Sequence, residues 1–259
     1  MRLKIEVDLD YRTEDERTVL LQIEAAENVA DQTIVESALE IVDCIGHLRV
    51  PADEAVGTRS WIRVRDRLTC SYRATLELRR KPVALASLAQ VPLHRLPGEV
   101  VKFLLPSRFC PSEKFGTFVE NEFEGPSGGA RVAAIRDWIE ASLAYVSGSS
   151  DAETTVVDTF IKRQGICRDY AHLMVTLARA SNVPARVACV YAPDVEPPDF
   201  HAVAEVYLDG EWHLVDATGM AAPETMARVG VGRDAADIAF LTIYGPNELL
   251  NQKVSVQAA

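Results

Sequence analysis

One stretch of the chain leaves the backbone little choice: His201-Ala202-Val203-Ala204-Glu205-Val206-Tyr207-Leu208-Asp209-Gly210-Glu211-Trp212-His213-Leu214-Val215-Asp216. Two strand-like runs flank Asp209-Gly210, a pair that accepts the positive φ angles of a two-residue hairpin turn. A turn of that length fixes every cross-strand partner. Leu208 pairs with Glu211, Val203 faces Asp216 and His201 faces Thr218. His201 and Asp216 are then diagonal neighbours on one face, roughly 7–8 Å apart along the backbone and within side-chain reach. The same count sets His213 opposite Val206, on the other face.

A carboxylate so placed can accept a ring N–H of His201, fix its tautomer and leave the second nitrogen free for a proton. A base of this kind needs an acid to act on. Gly165-Ile166-Cys167-Arg168-Asp169-Tyr170-Ala171-His172-Leu173-Met174 offers one, because a glycine break is followed by a helical stripe of Tyr170, Ala171, Met174, Leu177 and Ala178. Cys167 falls on the first turn of that helix. A helix N-terminus carries roughly half a positive charge and unpaired N–H groups, which favour thiolate over thiol and can receive an oxyanion. His172 lies further along the helix and turns away from the thiol.

Cys44, Cys70, Cys110 and Cys189 read as small hydrophobic residues, and without a CxxC pair they suggest neither a disulfide framework nor a thiolate metal site. No metal and no cofactor are expected. The backbone N–H of Cys167 is the natural oxyanion donor. Gln164 and Trp138 are side-chain candidates for the same task, although a loop position suits Gln164 and a core position suits Trp138, Tyr145 and Trp212.

The first hundred or so residues are strand-like. Leu3, Ile5, Val7 and Leu9 alternate with polar residues, and Ile62 to Leu78 keeps the same period through a turn expected near Asp66. Arg63, Arg65, Arg67 and Arg73 share the polar face, which reads as solvated. These runs predict a β-sandwich-like domain over residues 1–106. From Pro111 the period becomes helical, giving a second, catalytic domain over 107–259 with helices around Phe115–Val119, Ile135–Leu143 and Val156–Ile161, the last ending at Gly165.

With 259 residues, 48% of them hydrophobic, a full core is available, and a formal charge of −11 argues against nucleic acid or an anionic membrane as partner. The N-terminus is charged at alternate positions, unlike a signal peptide, and no stretch is apolar for long enough to cross a bilayer. A cytoplasmic protein is expected.

Gly165-Ile166-Cys167-Arg168-Asp169-Tyr170-Ala171, then His201, then Trp212-His213-Leu214-Val215-Asp216-Ala217-Thr218 together resemble the core of the transglutaminase-like superfamily of cysteine enzymes. The β-rich first part resembles the region that precedes this core in bacterial members. The resemblance implies an α+β architecture with a papain-like catalytic core. In it Cys167 attacks a carboxamide or peptide carbonyl of a peptide or protein substrate, His201 serves as base and then acid, and Asp216 orients His201.

A thioester would then pass its acyl group to water, or to an amine if the protein is a protein-glutamine transglutaminase. A binding module with a vestigial triad is the remaining alternative. Val203 and Ala217 depart from residues common in relatives, an aromatic and a proline. Gly232-Arg233-Asp234-Ala235-Ala236-Asp237 resembles a run of bacterial members and is expected to border the cleft.

Overall fold

A computed structural model describes residues 1–259. In chain order it contains β1 (Arg2–Leu21), β2 (Gln32–Val42), β3 (Gly46–Pro51), β4 (Thr58–Leu78), α1 (Gly98–Val101), α2 (Gly116–Glu122), α3 (Gly128–Ser142), β5 (Ala144–Tyr145), α4 (Val156–Lys162) and β6 (Gln164–Gly165). There follow α5 (Cys167–Ala180), β7 (Ala185–Tyr191), β8 (His201–Leu208), β9 (Glu211–Val215), β10 (Ala227–Gly232), β11 (Leu241–Tyr244) and β12 (Asn247–Ala258). Short 3₁₀ turns join several of them.

The alternation in β1 and β4 does what period two requires. Leu3, Ile5, Val7 and Leu9 pair across the ladder with Leu76, Ala74, Tyr72 and Cys70, and all eight are buried on one face. The opposite face carries exposed ion pairs, Arg73 with Asp8, Arg67 with Asp10 and Arg63 with Glu16, which contribute little to stability in water. The turn expected near Asp66 is absent. Asp66 takes a φ of 64° and the register against β1 shifts between Arg12 and Glu16, but pairing resumes at Glu16 with Arg65, so β4 runs on as one irregular strand.

Each long strand changes its outer partner along its length. The early part of β1 pairs with β12 and its later part with β11, while β4 pairs with β3 first and β2 afterwards. The result is a six-stranded sheet. It also corrects the expected division at 106/107. Residues 241–258 do not join the second sheet but return to β1, where Val254 packs opposite Val7 on the buried face.

The second sheet has the order β10-β7-β8-β9, all neighbours antiparallel. The buried stripe of α5 packs against β7 and β8, with α2, α3 and α4 around it. One hydrophobic cluster of 47 residues runs from Leu3 and Tyr72 through Met174 and Tyr191 to Val254, so the two sheets share a single core. Tyr191 ties them further by donating its hydroxyl to the Ile23 carbonyl at 2.7 Å.

Candidate active site

The start of α5 is held by its own third residue. Asp169 is buried and accepts the Ile166 N–H at 2.9 Å, capping the helix with a negative charge where the macrodipole favours one. The fit leaves no room at position 165. A Cβ on Gly165 would come within 2.7 Å of the Asp169 Cβ, which explains the glycine before the cysteine. Cys167 is the first helical residue and is partly exposed, at the edge of a cleft of about 640 Å³ lined by Phe109, Tyr145, Ala202, Ile238 and Phe240 among others.

The hairpin has the counted register. Leu208 pairs with Glu211 and Ala204 with Val215, and the turn residues Asp209 and Gly210 have φ angles of 50° and 84°, the left-handed values that such a turn demands. His201 is fully buried at the start of β8, and its Nε2 donates to the Asp216 Oδ2 at 2.9 Å. Asp216 is held from several sides. Its Oδ1 accepts the Thr218 N–H at 2.8 Å and hydroxyl at 2.7 Å, and its Oδ2 also accepts the Ala221 N–H at 3.1 Å.

These contacts set the charges. Burial opposes ionisation of Asp216, but the hydrogen bonds from His201 and Thr218 and the charge of His201 outweigh it, and the carboxyl titrates below its ordinary value. Burial likewise disfavours the imidazolium of His201. The hydrogen bond to Asp216, with the carboxylate's charge and the nearby Cys167 sulfur, overcomes it and raises the His201 pKa to about 9. The second nitrogen, Nδ1, is buried without a protein hydrogen-bond partner.

The structure therefore brings together the three residues singled out by the sequence. It keeps the other histidines apart. His213 Nε2 donates to the Leu208 carbonyl of its own hairpin at 3.2 Å, away from the cleft. His172 is buried, stacked 5.3 Å from Phe109, and its Nε2 accepts the Ala235 N–H at 3.0 Å.

Neither side-chain candidate for the oxyanion lines the cleft. Trp138 packs among Phe118, Phe123 and Phe160 with the Arg163 guanidinium over its ring at 4.8 Å, and Gln164 sits in the β5–β6 ladder. Trp212 lies under the Arg186 guanidinium at 4.0 Å and edge-on to Phe103. Tyr145 differs from its expected core position. It lines the cleft and is 38% exposed, because the two-residue strand β5, too short to register as a period, sets it opposite Gly165.

Of the run from Gly232 to Asp237, Ala235 lines the cleft, while buried Asp234 accepts the Phe109 N–H at 2.8 Å and so positions the wall behind it. Glu205, passed over in the sequence, is wholly buried between Arg186 and Arg228, and Arg228 in turn holds Asp31 at 2.9 Å. Val203 and Ala217 are buried and do not reach the cleft. No group of three His, Cys, Asp or Glu side chains is placed to hold a metal.

The chain is similar to several known proteins. Residues 119–217 match the family described as the transglutaminase-like superfamily. A crystal structure of a candidate cysteine protease from Cytophaga hutchinsonii superposes with a TM-score of 0.91 at 31% identity, covering 99% of this chain and 90% of that one. An uncharacterised Mycobacterium leprae protein is 29% identical over 119 residues, and an uncharacterised Mycobacterium tuberculosis protein is 30% identical over 125. These alignments span 42% and 40% of the two mycobacterial proteins, less than half of either.

Proposed function

The chain belongs to the transglutaminase-like superfamily, and within it we propose that this protein is a cysteine amidohydrolase that cleaves amide or peptide bonds through Cys167, His201 and Asp216. The observation that carries this reading is the division of labour between the two nitrogens of His201. Nε2 is committed to Asp216, whereas Nδ1 is left without another partner and Cys167 acts on the same ring.

The chemistry follows from that division. Cys167 yields its proton to Nδ1, and the resulting imidazolium is stabilised by the ionised Asp216. The thiolate attacks the substrate carbonyl, and the developing oxyanion takes the Cys167 N–H, which has no partner within the helix. His201 then returns the proton to the leaving amine, and the acyl group remains as a thioester. Water, deprotonated by the same nitrogen, attacks the thioester and releases the acid and the free thiol.

Alkylation of the five cysteines tests the first half of this sequence. Iodoacetamide labels Cys167 in preference to the other four near neutral pH, and His201→Ala removes the preference. Equal labelling of all five, unaffected by that substitution, refutes the proposal. Mass analysis of a glutamine peptide incubated with a labelled primary amine tests the second half, since incorporated amine in place of hydrolysed product would make the protein a transferase.

A further inference from the structure

The geometry points to Tyr145 as a second oxyanion donor, its phenol O–H acting together with the backbone N–H of Cys167 on the tetrahedral intermediate. This rests on the cysteine amidohydrolase reading and supplies what that reading lacks, since one backbone N–H leaves an oxyanion half satisfied and neither Gln164 nor Trp138 lines the cleft.

Tyr145 is delivered to the thiol by backbone, not by chance rotation of a surface side chain. β5 and β6 form a parallel two-residue ladder in which Tyr145 lies opposite Gly165, just before Cys167. The Ala144 N–H donates to the Arg163 carbonyl at 2.9 Å and the Val146 N–H to the Gly165 carbonyl at 3.0 Å, so the tyrosine is pinned on both sides. Its ring is set against Tyr170 of α5, with centroids 5.9 Å apart. Tyr145 and Cys167 then line the same cleft, the cysteine two residues beyond the glycine that faces the tyrosine across the ladder.

That N–H is free to take an outside acceptor. The first backbone hydrogen bond of the turn is made by Asp169, to the Ile166 carbonyl at 2.8 Å, and Cys167 precedes it. In the free protein the phenol oxygen can accept from the Cys167 N–H. When a carbonyl enters and is attacked, its oxygen displaces that contact, takes the N–H for itself and accepts the phenol proton as a second hydrogen bond. A phenol suits the exchange because it both accepts and donates. Burial, and then the charge of Cys167, push the Tyr145 hydroxyl up to about 12, so it keeps its proton through the range in which an amidase works.

Tyr145→Phe tests the assignment because it removes one oxygen and leaves the ring on Tyr170. The full-length variant is compared with wild type in three measurements: turnover of an amino-acid nitrophenyl ester, binding of a peptide aldehyde that forms a tetrahedral thiohemiacetal, and alkylation of Cys167 by iodoacetamide, which forms no oxyanion. The expected result is a fall of about 10²-fold in kcat/KM carried by kcat. Aldehyde affinity falls in parallel, and the alkylation rate stays within about 3-fold.

Turnover and aldehyde binding within about 3-fold of wild type would overturn the assignment. So would alkylation that falls together with turnover, since Tyr145 would then act on the thiol and not on the oxyanion. Wild-type protein that neither turns over the ester nor labels preferentially at Cys167 would instead overturn the amidohydrolase reading itself.

Discussion

The chain buries two histidines almost equally, and their pKa values move in opposite directions. His201 and His172 are 0% and 1% exposed, each with an Nδ1 that has no hydrogen-bond partner. Burial pushes both toward neutrality. His172 follows, down to about 4, because burial dominates and the charge of Asp234, which favours the imidazolium, is countered by that of Arg168; its Nε2 accepts a backbone N–H and its ring is stacked on Phe109. His201 goes up to about 9 because its Nε2 donates to a carboxylate and a thiol stands beside it. Burial therefore sets how much each histidine can be shifted, and the partner sets the direction. A solvent-free imidazole is a packing element in one place and a proton store in the other.

That contrast is open to attack, most strongly at His201. His201→Ala should lower kcat by about 10⁴-fold or more, since the proton then has neither acceptor nor return path. Steady-state turnover of a nitrophenyl ester checks it, and a loss below tenfold would leave the residue no chemical role. Asp216→Asn should cost about 10³-fold in the same assay, because an amide cannot stabilise the imidazolium and can impose the wrong tautomer.

A second buried ion on β8, Glu205, sharpens the comparison by being fully partnered. Glu205→Ala leaves buried Arg186 without its carboxylate and Arg228 with Asp31 alone, and should cost about 3–5 kcal/mol in urea unfolding. Its effect on labelling of Cys167 should be small in whatever fraction stays folded.

Titration gives a smaller, signed effect. The folded pKa of His201 lies above its ordinary value of 6.5. Its stabilising contribution is thus complete below about 6.5 and disappears as pH rises through about 9. The stability gap between wild type and Asp216→Asn should narrow over that window, by an amount on the order of 2 kcal/mol. The alkaline limb of kcat/KM should fall in the same place, as the imidazolium that protonates the leaving amine is lost.

The smallest effect belongs to the other histidine. His172→Phe removes the acceptor of the Ala235 N–H, and should cost about 1–3 kcal/mol of stability while leaving that alkaline limb unmoved. A displaced limb would mean that the two histidines are coupled after all.

How far the sequence discloses this molecule depends on the range of the interaction. The hairpin and its His201–Asp216 diagonal were legible because a two-residue turn and a period of two determine register without reference to the rest of the chain. The helix behind Cys167 was legible for the same reason, through glycine break and apolar stripe. Tyr145 read as a core aromatic because β5 is only two residues long and acquires its meaning from Gly165, which lies opposite it only after α4 has formed. Glu205 looked like one polar residue in a strand, since its partners Arg186, Arg228 and, beyond them, Asp31 come from three other segments. The return of β11 and β12 to β1 had no local signature at all.

That return has a consequence for the order in which the molecule is made. Leu241 of β11 and Gln252 of β12 help line the cleft, and Gln252 donates to Asp199 at 2.8 Å, just before Phe200 and His201. On the ribosome, Cys167, His201 and Asp216 all emerge before this last wall exists, and the wall cannot form until β12 finds β1 at the far end of the chain. Contacts of such long sequence separation close late. A nascent chain therefore carries Cys167 in an unfinished groove, and the completed cleft is a property that β11 and β12 confer.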